Sequence, residues 1–125
     1  LMDKNAQKRG EWEPVLRHAT NLTIEVEPKP VTTLFVADEL DDNTINIWRA
    51  VASVPLKSSK EISTEGRMVE NVKIMPLTNY ELIKLLKEGT SGQNLVTKIN
   101  NSFLTLPQNF DLKWRDKILY DADIV

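Results

Sequence analysis

Apolar residues recur most regularly in the second half of the chain. Between Pro76 and Leu106, Leu82, Leu85 and Leu86 fall on one side of a helix, with Ile83 beside them. Leu95, Val96, Ile99 and Phe103 repeat the same period a few residues later. Thr78 followed by Glu81 forms a capping box that starts the first helix. Gly89 can stop it in the left-handed conformation, Ser91 and Gly92 reset the chain, and Pro107 ends the second helix. Two helices joined by so short a turn are expected to lie roughly antiparallel.

The first half mixes two periods. Trp12, Val15, Leu16 and Ala19 share one side of a short helix over Glu11–Thr20, with Pro14 in its first turn. Leu22, Ile24 and Val26 then alternate with Thr23, Glu25 and Glu27, which predicts a half-buried strand ended by Pro28 and Pro30. Val31–Ala37 is rich in β-branched and aromatic residues and predicts a second strand, buried on both faces. Thr44–Val54 fits either period. A helix is preferred there, because alanine is a poor strand residue and Asp42 or Asn43 suits an N-cap. Pro55–Gly66 predicts a solvated loop with exposed Ser58, Ser59, Ser63 and Thr64. Met68–Met75 predicts a further strand closed by Pro76, and Asp111–Tyr120 a terminal helix.

The architecture expected from these elements is α+β. A small antiparallel or mixed sheet in the first three-fifths is covered by C-terminal helices. Residues 1–10 are polar and read as a flexible segment, and 11–125 as one domain, a fragment of a longer protein. At 125 residues the chain can bury a single modest core. A formal charge of −2 gives no overall pull toward nucleic acid or an anionic membrane. No apolar run approaches the ~20 residues of a membrane span. The chain has no cysteine, which excludes disulfides, thiolate metal sites and thiol catalysis. An intracellular protein, cytoplasmic or nuclear, is the expectation.

Candidate chemistry is sparse. His18 is the single histidine, no Gly-x-Ser-x-Gly elbow accompanies it, and a surface or half-buried helix residue is the simpler reading. The acids Asp38, Glu39, Asp41 and Asp42 lack the glycine and terminal glutamate of a calcium loop and are better explained as turn and cap residues. Glu25, Glu27 and Lys29, or Glu70 with Lys73, can be set into a nuclease-like pattern, but neither has a companion acid at convincing spacing. No metal or cofactor is expected.

Two surfaces remain. Trp48-Arg49 and Trp114-Arg115 pair the residue types enriched at binding hot spots, although each tryptophan taken singly suits a core better. Thr90 and Ser91 could offer hydroxyls to an anion at the start of the second helix. Gln93, Asn94, Thr97, Lys98 and Asn101 on that helix are capable base readers with one positive charge among them, and Lys84, Leu85 and Leu86 fill the place where a DNA-reading helix pair wants a small residue. The leading expectation is therefore a non-enzymatic protein-interaction domain, a scaffold or complex subunit, that binds another protein or peptide segment through Trp48, Arg49, Trp114 and Arg115. The alternative is a nucleic-acid-binding module built on the helix pair 79–104, with Thr90, Ser91, Gln93, Asn94 and Lys98 as contacts. No stretch assigns the chain to a known family.

Overall fold

The computed structural model describes residues 2–58, 66–89, 91–104 and 114–115, with the side chains of Ser102 and Leu104 left aside. The order of elements is α1 (Lys4–Lys8), α2 (Glu13–Glu25), β1 (Thr32–Ala37), α3 (Asp42–Val51), β2 (Leu56–Lys57), β3 (Met68–Val69), β4 (Lys73–Thr78), α4 (Asn79–Lys87) and α5 (Gly92–Leu104). β1 and β4 pair in parallel, Thr32 opposite Lys73 through Ala37 opposite Thr78. β2 and β3 form a short antiparallel pair. The fold is α+β with a small mixed set of strands, as expected. A parallel pair needs a long crossover, and α3 with the β2–β3 hairpin supplies it.

β4 divides the interior. Its Ile74 joins Phe35, Trp48, Val72 and Ala19 in one apolar cluster, while Met75 and Leu77 join Leu85, Leu95, Ile99, Phe103 and Trp114 in another. Successive strand residues point to opposite faces, so one six-residue strand serves both clusters. The strand buried on both faces is thus β4. In β1, Phe35 and Ala37 are buried, but Leu34 is 38% exposed. Pro76 lies inside β4 and does not close it. Within its two-stranded sheet β4 has a partner on one side, so a residue without an N–H is tolerated there.

The predicted strand over 21–27 is a helix instead, because α2 continues to Glu25. Ile24 is buried and Leu22 exposed, which a strand with both on one face would not give. Leu16, Thr20 and Ile24 continue the stripe begun by Trp12, and this longer 3.6-residue period overrides the local alternation. The Thr20 and Thr23 hydroxyls donate to the carbonyls of Leu16 (2.8 Å) and Ala19 (2.7 Å), so both polar groups are satisfied on the helix itself.

Thr44–Val54, the ambiguous stretch, is helical through Val51 as part of α3. The N-cap of α3 is Asp41, one residue before Asp42 and two before Asn43, the caps expected, and the Asp41 carboxylate accepts from the Thr44 N–H (3.0 Å) and hydroxyl (3.1 Å). α1 occupies part of the segment expected to be flexible. The predicted capping box at Thr78 and Glu81 is present with both hydrogen bonds, and Gly89 takes a φ of 80° just past the C-cap of α4. Leu85 is buried, whereas Ile83 and Leu86 are more than half exposed. The helix expected over 111–120 lies outside the described residues, apart from Trp114 and Arg115.

Candidate nucleic-acid interface

Polar side chains gather at the carboxyl end of the parallel pair. Gln7 is buried beneath the loop that follows β1. Its amide nitrogen donates to the carbonyls of Glu39 (2.8 Å) and Met2 (3.2 Å), and its oxygen accepts from the Asp41 N–H (2.8 Å). One side chain thereby stands in for a strand partner and fixes the acidic loop against α1. The Asn79 amide donates to the Asp38 carboxylate, which ties that loop to the start of α4.

The neighbouring network joins the chain's two ends of interest. Glu81 Oε1 accepts from the Thr78 N–H (2.8 Å) and from Arg115 Nη1 (2.8 Å), and Arg115 also donates to the Pro76 carbonyl (3.2 Å). The two charged side chains are 18% and 14% exposed, so this ion pair is shielded from bulk water.

α4 and α5 follow from this anchored point. Leu82 and Leu85 turn inward from α4, and Leu95, Ile99 and Phe103 from α5. The Ser91 hydroxyl accepts from the Asn94 N–H (3.1 Å) and so acts as a cap within α5's own first turn. Gln93, Asn94, Thr97 and Asn101 are exposed, and Lys98 is half-buried. Thr90 lies outside the described residues. The predicted nucleic-acid contacts that are described therefore share one helix and stand at or near its surface.

The proposed protein-binding anchors are used differently. Trp48 is 0% exposed and meets Trp12 and Phe35 with ring centroids 5.3 Å away in each case. Trp114 is 1% exposed and packs edge-on against Phe103 at 5.6 Å. Neither ring is offered to a partner. Arg115 is held by Glu81 and Pro76, and burial lowers the Arg49 pKa from its ordinary value without removing a guanidinium's charge.

The acidic candidates do not converge. Glu27 pairs with Arg67 (3.1 Å), Asp41 caps α3, and His18 is exposed on α2. Among the described residues, no group of three or more histidines, aspartates or glutamates could hold a metal ion. Nor is any described helix long and apolar enough to cross a membrane.

Gln7, Asn79 and the Glu81–Arg115 tie were not identified from the sequence. The capping box had already accounted for Glu81, and nothing local marks a glutamine or asparagine for contacts more than thirty residues away.

Fold and surface together define a small α+β domain that buries Trp48 and Trp114 and turns the polar side chains of α5 outward. A family model described as AlwI restriction endonuclease matches residues 1–85, and the chain belongs to that family. No curated protein and no solved structure matches it. This membership corrects the expectation of a non-enzymatic interaction domain or scaffold. It points to a DNA-cleaving enzyme and suggests DNA binding.

Proposed function

We propose that this protein is a restriction endonuclease that hydrolyses phosphodiester bonds of double-stranded DNA. The observation that carries the proposal is the family match over residues 1–85, which spans both two-stranded sheets and reaches into α4. Hydrolysis of a phosphodiester joins water to phosphorus and releases one of the two ester oxygens. The polyanionic substrate must be held while this happens, and hydrogen-bonding and cationic side chains do that work.

In this reading the described residues act as scaffold and DNA contacts. The exposed amides of Gln93 and Asn94 on α5 are suited to base edges, since both residue types present a donor and an acceptor together. Ser91 and Lys98 lie beside them on the same helix or at its start, suited to phosphate. The Gln7 and Asn79 hydrogen bonds keep the loop after β1 and the start of α4 in fixed relation. DNA as substrate also supports an intracellular place of action.

The test is incubation of the purified full-length protein with unmethylated plasmid and phage DNA, in the presence of magnesium or manganese. Discrete fragments with a common terminal sequence are expected. DNA left intact under every condition, by protein shown to be folded, would overturn the proposal. Binding without cleavage would favour a nucleic-acid-binding module instead.

A further inference from the structure

The apolar side of α5 is not turned as burial alone would turn it. Leu95, Ile99 and Phe103 recur one turn apart and face inward. Val96, beside them around the helix, is 42% exposed. Asn100, one turn on from Val96 and on the same flank, is half-buried. An apolar residue is left at the rim while a polar one beside it is taken in, the reverse of the order that burial favours. The reason is a bond across the fold. The Thr32 hydroxyl, at the first position of β1, donates to Asn100 Oδ1 (3.0 Å), joining residues 68 apart in sequence. Turning α5 further toward β1 would cover Val96 but carry the Asn100 amide out of line with that hydroxyl. Apolar contact is non-directional and a hydrogen bond is not, so the bond selects one rotation of the helix.

That rotation decides what α5 presents. With a step of about 100° per residue, Thr97 stands opposite the buried stripe, with Gln93 and Asn94 to either side of it. All three are exposed. Side-chain ends lie about 5–6 Å from a helix axis, so a turn of about 20° moves them by about 2 Å. An amide paired with a base edge holds its hydrogen bonds at about 2.7–3.2 Å, and a shift of that size breaks them.

We propose that Thr32 and Asn100 are positioning residues for DNA recognition, setting the rotation of α5 on the β1–β4 pair and, through it, the sequence selectivity of Gln93 and Asn94. The proposal rests on the DNA-cleaving reading and adds to it the device that aims the reading helix. Neither positioning residue needs to touch the DNA itself.

The experiment uses the full-length protein and a labelled duplex that wild type selects from a randomised pool, compared with the same duplex changed at single base pairs. Fluorescence anisotropy in EDTA, which prevents metal-dependent cleavage, gives the preference for the selected sequence and the dependence of affinity on salt. Thr32→Val keeps the shape and removes the donor. It should lower the preference by about tenfold, within what one amide–base contact supplies, and leave the salt slope unchanged. Asn100→Ala should do the same, and the double variant should lose no more than either single one, because both remove one bond. Thr32→Ser keeps the donor and should restore the wild-type preference.

A Thr32→Val or Asn100→Ala protein that keeps the wild-type preference, whatever its stability in urea, makes the bond merely structural and overturns the proposal. An unchanged preference in Gln93→Ala/Asn94→Ala removes α5 from sequence reading and overturns it too, with the nuclease reading left intact. Wild type that binds duplex but selects no sequence has the same consequence. Wild type that binds no duplex at low salt overturns both.

Discussion

Replacing Trp48 with alanine removes a fully buried indole from between Trp12 and Phe35. The side chain lost amounts to roughly 150–200 Å² of apolar surface, or about 4–5 kcal/mol of transfer free energy. Each aromatic contact adds about 0.5–1.5 kcal/mol that an aliphatic neighbour would not provide. One effect acts in the opposite direction. The indole Nε1 is buried with no hydrogen-bond partner among the described residues, so truncation relieves a desolvated donor that costs about 1 kcal/mol or more. The net expectation is a loss of about 4 kcal/mol, within the range of large-to-small aromatic substitutions. A domain of this size has about 5–15 kcal/mol in all, so Trp48→Ala should be folded marginally if at all, with a midpoint lowered by roughly 15 °C. Urea denaturation followed by circular dichroism measures it. Trp48→Phe should cost far less, because it keeps a ring between the two neighbours and removes the unpaired N–H. A Trp48→Ala protein within 1 kcal/mol of wild type, with an unchanged denaturant slope, would refute the reasoning and return Trp48 to the surface.

Two other perturbations address the polar ties. Gln7→Met keeps the volume but strands the Glu39 carbonyl and the Asp41 N–H, so a loss of about 2–4 kcal/mol and faster hydrogen exchange at the Asp41 amide are expected. Wild-type protection at that amide would show that Gln7 does not hold the loop. A double-mutant cycle of Glu81→Gln and Arg115→Met should give a coupling of about 1–2 kcal/mol, between the values for exposed and buried ion pairs, and it should persist in high salt. Coupling below about 0.3 kcal/mol would show that the contact contributes nothing to holding Arg115 against β4.

The parts legible in the sequence were those whose signals are local. Thr78 and Glu81 specify a helix start through bonds three residues apart, and both bonds form. Gly89 marks a helix end because the conformation needed there is one that glycine alone adopts without strain. β1 was recognisable from its β-branched run. The segment 21–27 was misread because a window of seven residues contains an alternation, and the competing stripe becomes visible when Trp12, Leu16 and Ala19 are read together with Thr20 and Ile24. Pro76 reads as a terminator in the sequence because only the pairing shows that β4 has one neighbouring strand among the described residues. Gln7 was illegible on physical grounds. Its partners are backbone groups of Glu39 and Asp41, and no pattern of side chains reports where a distant main chain will pass.

The candidate site was harder to read for a different reason. Tryptophan is common both in interface anchors and in cores, so Trp48-Arg49 and Trp114-Arg115 favour a core for each tryptophan singly without deciding the role of the pair. The structure separates the roles by burial. It also shows that the closing role extends beyond the matched region. Met75 and Leu77 lie within residues 1–85, yet Leu95, Ile99, Phe103 and Trp114, which share their apolar cluster, all lie after it. Without those residues the cluster on that face of β4 would keep only Ala52, Leu85, Ile45 and Leu82 around Met75 and Leu77. The tryptophan and arginine singled out near the end of the chain therefore serve the fold. Trp114 seals the far side of the strand, and Arg115 holds Glu81 at the start of α4.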